Sequence, residues 1–168
     1  MNKKNLIATI YLKNGKLVNG FKDHTEQDDL IERIRLYNDN GIDKIYLFDL
    51  SDNDAEHELN LHTMKEINRV AEIPVYAGGN INRLEDIKKI LYAGCKKAVL
   101  DYEKESNIEI TEEVSLKFGK DKILISYNDP AVLELHKEKI EKYISAMILM
   151  NPHQIRETQA ILSLPFFV

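Results

Sequence analysis

The sequence predicts an α/β fold built on parallel strands, and three observations predict it. Short apolar runs alternate with amphipathic helical stretches along the 168 residues. Several runs are apolar throughout, such as Ile45-Tyr46-Leu47-Phe48 and Ile123-Leu124-Ile125, which suits strands covered on both faces. Glycines follow two of the helical stretches, at Gly41 and Gly94, where a left-handed residue commonly ends a helix.

In order, the first strand is read at Leu6–Leu12. Asn14-Gly15 then makes a two-residue hairpin turn, with Leu17-Val18 as the returning arm. Leu30, Ile31, Ile34 and Tyr37 share one helix face. A second strand at Lys44–Leu50 leads into an acidic run, Ser51 to Glu58, read as a solvated loop. Strand three, Pro74–Ala77, meets Gly78-Gly79 and a helix carrying Leu84, Ile87, Ile90 and Leu91. Strand four, Lys97–Leu100, precedes a helix with Val114 and Phe118, for which Ser106 and Glu109 have capping-box spacing. Strand five, Lys122–Tyr127, ends at Asn128-Asp129-Pro130, with Asp129 as N-cap and Pro130 in the first turn. Strand six is Ala146–Met150, and a seventh opens at Pro165–Val168.

Two architectures fit this alternation, an open doubly wound sheet and a closed (β/α)8 barrel. No linker or low-complexity stretch divides residues 1–168, so one domain is expected. A complete barrel takes about 250 residues. Six units followed by an opening seventh strand therefore predict a barrel incomplete at its carboxyl end, lacking strands seven to eight as finished elements.

Composition narrows the class. Hydrophobic residues make up 43% and charged residues 30%, which excludes disorder. Lys plus Arg is 23 against 28 for Asp plus Glu, a net charge of −5, which argues against a nucleic-acid partner. No apolar run approaches the roughly 18 residues of a membrane span, and a cytoplasmic domain is expected. The single cysteine, Cys95, excludes an internal disulfide framework. The histidines at 24, 57, 62, 136 and 153 show no ligand spacing, so neither metal nor cofactor is expected.

Function in parallel α/β folds gathers in loops at the carboxyl ends of strands. Asp49 ends strand two and is a candidate base. Gly78, Gly79 and Asn80 follow strand three at a β–α junction, where backbone N–H groups can approach a phosphate. Asp101 and Glu103, after strand four, would repel an anion placed near that turn. Cys95 follows a helix, away from the strand ends, and reads as inert.

Residues 6–20, 41–50 and 73–95 resemble the histidine-biosynthesis barrels of the HisA/HisF type, that is, the ribotide isomerase and the cyclase subunit of imidazole glycerol phosphate synthase. The resemblance rests on Lys13-Asn14-Gly15-Lys16-Leu17-Val18-Asn19-Gly20, on Ile73-Pro74 with Gly78-Gly79-Asn80-Ile81 and Glu85-Asp86-Ile87, and on Leu91-Tyr92-Ala93-Gly94-Cys95. It implies a TIM-type (β/α)8 barrel with a phosphorylated ribotide as ligand, bound through Lys13, Gly78, Gly79 and Asn80. The family's two catalytic aspartates align with Tyr11 and Tyr127, leaving Asp49 as the remaining acidic candidate. A register shifted to Asp129 would restore one of them. The resemblance therefore implies a catalytically degenerate barrel with a scaffolding or phosphate-binding role in L-histidine biosynthesis. Its expected setting is the amino-terminal part of a bifunctional phosphoribosyl-AMP cyclohydrolase/phosphoribosyl-ATP pyrophosphohydrolase, with the other domains of that chain, or a second copy, as partners. The alternative is an active isomerase or cyclase.

Overall fold

The computed structural model describes residues 5–27, 29–161 and 164–167. Strands and helices alternate through two compact units. The first runs to Asn80 and adds Lys88–Lys96; the second takes Ile81–Ile87 and the chain from Lys97 onward.

The first unit holds β1 (Ile7–Lys13), β2 (Lys16–Val18), α1 (Leu30–Asp39), β3 (Lys44–Asp49), α2 (Asp54–Val70) and β4 (Val75–Gly78). β1 and β2 pair antiparallel across Asn14-Gly15, both at positive φ (51° and 73°), as the two-residue hairpin predicts. β1 then pairs in parallel with β3, and β3 with β4. The registers Thr9↔Tyr46↔Tyr76 and Tyr11↔Phe48↔Gly78 place these side chains on one face of the sheet. Ile10, Leu12, Ile45, Leu47, Val75 and Ala77 alternate with them and are buried.

The second unit holds β5 (Lys97–Asp101), α4 (Glu105–Phe118), β6 (Ile123–Tyr127), α5 (Ala131–Leu135), α6 (Lys137–Tyr143), β7 (Ala146–Leu149), α7 (Ile155–Ile161) and β8 (Phe166–Phe167). The remaining helix, α3 (Leu84–Tyr92), runs across the division between the units. β5 pairs with β6, β6 with β7 and β7 with β8, all in parallel. Within each unit every new parallel strand joins the edge left by the one before. A doubly wound sheet reverses that order at its switch point, so the stepwise order is of the barrel type. β8 begins where the seventh strand was expected; Val168 lies outside the described residues.

Two local expectations need correction. The acidic run is not a loop throughout, because α2 begins at Asp54. Asn53 caps that helix by accepting from the Glu56 amide at 3.0 Å, and Asp54 and Glu56 sit in the first turn, where negative charge is favoured. The Ser106–Glu109 capping box does not form. α4 starts at Glu105, two residues before the start a Ser106 cap would give, with no side-chain cap. Asn107 reaches out of the helix instead, accepting from the Asp101 amide and donating to the Ile81 carbonyl, and this anchors the start of α4. The Asp129 reading holds to within a residue: its carboxylate accepts from the Ala131 amide at 2.9 Å, and Pro130 opens the turn.

Gly79 carries the tightest backbone constraint. Its φ is +84°, and a Cβ there would stand 2.3 Å from the Asp49 carbonyl oxygen. No flexible side chain can yield at that contact. Gly79→Ala is expected to lower unfolding stability by about 2–4 kcal/mol. Gly20, with nothing within 4 Å of its Cβ position, should tolerate Ala within about 0.5 kcal/mol. Paired denaturant titrations check both; equal midpoints for the two variants would contradict the close-approach account.

Candidate functional site

The carboxyl ends of β1, β3 and β4 meet in a hydrogen-bonded cluster centred on Asp49. Asp49 pairs in register with Leu12, on the sheet face opposite Tyr11 and Phe48, so its carboxylate turns toward α2. There Oδ2 accepts from His57 Nδ1 at 2.5 Å, while Oδ1 accepts from Asn60 Nδ2 at 2.6 Å and from the Ser51 amide at 2.9 Å. A carboxylate with donors on both oxygens is an acceptor, so the imidazole proton sits on Nδ1. Asp49 is 2% exposed, His57 3% and Asn60 0%. Asp49 is thus a buried carboxylate with both oxygens engaged, whereas an open general base reaches a substrate proton.

The cluster extends to the hairpin. Asn60 Oδ1 accepts from the Gly15 amide at 2.7 Å, its Nδ2 also donates to the Leu12 carbonyl, and Thr63 Oγ1 donates to the Gly15 carbonyl at 2.7 Å. Lys13 does not stand open to a ligand. Its Nζ donates to the Leu50 carbonyl at 3.1 Å and pairs with Asp52 and Glu56. Its hydrogen bond to Asp52 raises the Lys13 pKa against desolvation. The Lys13 bond lowers Asp52, and the Asp52 amide together with Lys13 lowers Glu56. Lys13→Met is expected to bring the Asp52 and Glu56 titrations back up toward ordinary carboxylate values in carboxyl-carbon NMR. Because both folded values lie below the unfolded ones, their contribution is present above the unfolded carboxylate pKa and is lost as pH falls through the folded values. Unmoved titrations in Lys13→Met would refute the pairing.

Sequence reading missed His57, Asn60 and Thr63. The signal that could have found them is the buried stripe of α2, His57, Asn60, Leu61, Met64 and Ile67, which follows the helical period. Its polar members sit beside Asp49 and its apolar ones farther along the core.

The Gly78-Gly79-Asn80 turn closes against the same cluster. Gly79 packs on the Asp49 backbone, and Asn80, at φ 42°, donates from Nδ2 to Ser51 Oγ at 2.6 Å. Asn tolerates the left-handed region that other side chains avoid. In the second unit, Asp86 Oδ2 accepts from the Asn82 and Arg83 amides at 2.9 and 3.0 Å, so the start of α3 carries a carboxylate of its own. Asp101 and Glu103 tie loops together: Asp101 accepts from the Glu103 amide, and Glu103 from the Asn128 amide.

The two tyrosines have different surroundings. Tyr11 packs edge-on to Phe21 at 4.8 Å and stacks on Phe48 at 5.8 Å, and burial raises its phenol pKa. Tyr127 is 0% exposed and donates its hydroxyl proton to Thr158 Oγ1 at 2.9 Å; burial raises its pKa, partly offset by that bond. Tyr127 thus stands in packed surroundings, away from open solvent. Both phenols keep their protons at neutral pH, the opposite of what a general base requires.

The family model for histidine biosynthesis proteins matches residues 5–162. The chain belongs to that family. Its stepwise parallel strands and alternating helices are the family's TIM-barrel type. The imidazole glycerol phosphate synthase subunit HisF of Staphylococcus saprophyticus is 30% identical over 138 residues, covering 81% of this chain and 55% of the relative. The same subunit of Staphylococcus aureus strain Newman is 31% identical over 135 residues, covering 77% and 54%. The chain spans about half the length of the curated relatives it matches. Among the described residues, no group of His, Cys, Asp and Glu could hold a metal ion, and no helix is long and apolar enough to cross a membrane.

Cys95 has the surroundings of a structural thiol. It is buried, which raises its pKa to about 11, and Asn68 Nδ2 donates to it at 3.3 Å. Thiolate is therefore scarce at neutral pH. Alkylation with iodoacetamide at pH 8 is expected to proceed only as fast as the protein unfolds; labelling at the rate of a free thiol would contradict the buried assignment.

Proposed function

We propose that this family member holds a phosphorylated ribotide, or its phosphate, at the Gly78-Gly79-Asn80 turn and carries out no acid–base turnover of its own. The observation that carries this reading is the state of the two positions that align with the family's catalytic aspartates. Tyr11 packs half-buried against the rings of Phe21 and Phe48, and Tyr127 spends its proton on Thr158. Asp49, the remaining acidic candidate, is consumed by His57, Asn60 and the Ser51 amide. Two glycines at a β–α junction support anion binding, since without side chains their backbone amides can approach a phosphate closely.

A second reading, an active cyclase-like enzyme, is favoured by the relatives, which are synthase subunits by name. That name also supports a partner protein, or a second copy, as the setting in which the chain works. It lends nothing to a cyclohydrolase/pyrophosphohydrolase parent, which rests on the resemblance alone.

Phosphate titration followed by amide NMR is expected to move Gly79 and Asn80 first. Assays with the isomerase and cyclase ribotides are expected to show no turnover, because each missing acid or base typically contributes about 10²–10⁴-fold. Turnover abolished by Tyr11→Phe or Asp129→Asn would establish the enzyme reading, and phosphate shifts confined to other loops would remove the binding one.

A further inference from the structure

The buried pair His57–Asp49 lies next to the proposed phosphate turn without belonging to it. Asp49 Oδ1 holds the Ser51 amide, Ser51 Oγ accepts from the Asn80 side chain, and the Gly79 backbone rests on the Asp49 carbonyl. The same carboxylate, through Asn60, holds the Gly15 amide and the Leu12 carbonyl. One side chain contact therefore stands behind the backbone of three strand ends.

We infer that His57 and Asp49 are positioning residues for the Gly78-Gly79-Asn80 turn: their buried contact fixes the Asp49–Ser51 backbone, which in turn sets where Gly79 and Asn80 lie. The inference rests on the phosphate reading for its ligand, and on the hydrogen bonds alone for its coupling. An unmatched carboxylate in this buried place would draw its remaining donors toward itself or rotate toward solvent, and either motion drags Ser51. Asn80 then loses its partner or follows it. The expected consequence is a turn of altered geometry rather than a general loss of structure, because the hydrophobic stripe of α2 at Leu61, Met64 and Ile67 is untouched.

The test compares amide NMR spectra of the whole chain, with inorganic phosphate as the probe, for the wild type and for His57→Leu, His57→Asn and Ser51→Ala. Asn places an amide donor near the Nδ1 position and does not titrate, so it is the rescuing variant. Without phosphate, His57→Leu is expected to shift Gly15, Ser51 and Asn80 together while Gly41 stays in place, and His57→Asn to return them. With phosphate, His57→Leu should weaken binding at Gly79 and Asn80 by about three- to tenfold, the size of one lost hydrogen bond, and His57→Asn should bring it back within about twofold. Ser51→Ala should move Asn80 and weaken phosphate while leaving Gly15 unmoved.

Wild-type phosphate affinity in a folded His57→Leu, or an Asn80 amide indifferent to both His57→Leu and Ser51→Ala, would overturn the inference. Should the wild type fail to respond to phosphate, the ligand reading falls, while the joint shifts of Gly15, Ser51 and Asn80 still decide the coupling. Should His57→Leu not fold, Ser51→Ala and His57→Asn decide: an unmoved Asn80 in Ser51→Ala, or displaced Gly15 and Ser51 in His57→Asn, would overturn it.

Discussion

A buried carboxylate must be matched by donors or it destabilises the fold that buries it. Asp49 meets that requirement with three hydrogen bonds, and those three decide much of the first unit's architecture at its loop end. His57 and Asn60 must lie on one face of α2, three residues apart, so α2 must begin early enough to present them. That start is why the acidic run becomes a capped helix rather than a loop. The Ser51 amide must turn back on Asp49, which leaves the Gly79 backbone pressed against the Asp49 carbonyl with no room for a side chain. Asn60 then reaches the hairpin and holds Gly15. A residue that looked on sequence grounds like a candidate base is the keystone of the loops around it.

Tyr11 and Tyr127 show the complementary case. At Tyr11 the side chain is absorbed into a triangle with Phe21 and Phe48, whose own rings stand 5.1 Å apart. At Tyr127 the hydroxyl is committed to Thr158, which passes its own proton to the Gln154 carbonyl at 3.1 Å. Both solve the packing of a large ring near a strand end, and burial raises both phenol pKa values. Tyr102 repeats the pattern in the second unit: its hydroxyl meets Thr111, and burial pushes its pKa to about 12.

The strands were legible in the sequence because continuous apolar runs have few alternatives at that length, and the hairpin because Asn14-Gly15 fixes its own turn type. The ends of the α1 and α3 stretches were legible in Gly41 and Gly94, at φ 73° and 100°. Family membership was legible in the glycine frame after the first and third strands, and the match over residues 5–162 carries it through the chain. The Asp49 cluster was not legible. His57, Asn60 and Thr63 are polar residues on a buried helix stripe, and a reading that seeks apolar periodicity passes over them. The start of α4 was misplaced for a related reason: Asn107 satisfies backbone groups from inside the helix, a role that no local capping pattern encodes.

Native-state hydrogen exchange at the Ser51 and Gly15 amides tests the keystone role of Asp49 most directly. Both donate into the cluster, one to Asp49 and the other to Asn60. If the carboxylate holds the loops as one body, the two amides open together, with the same protection as each other and well beyond that of an exposed turn, and Asp49→Asn releases both. A Gly15 amide that exchanges as fast as an exposed turn while Ser51 stays protected, or protection of both that survives Asp49→Asn, would contradict it.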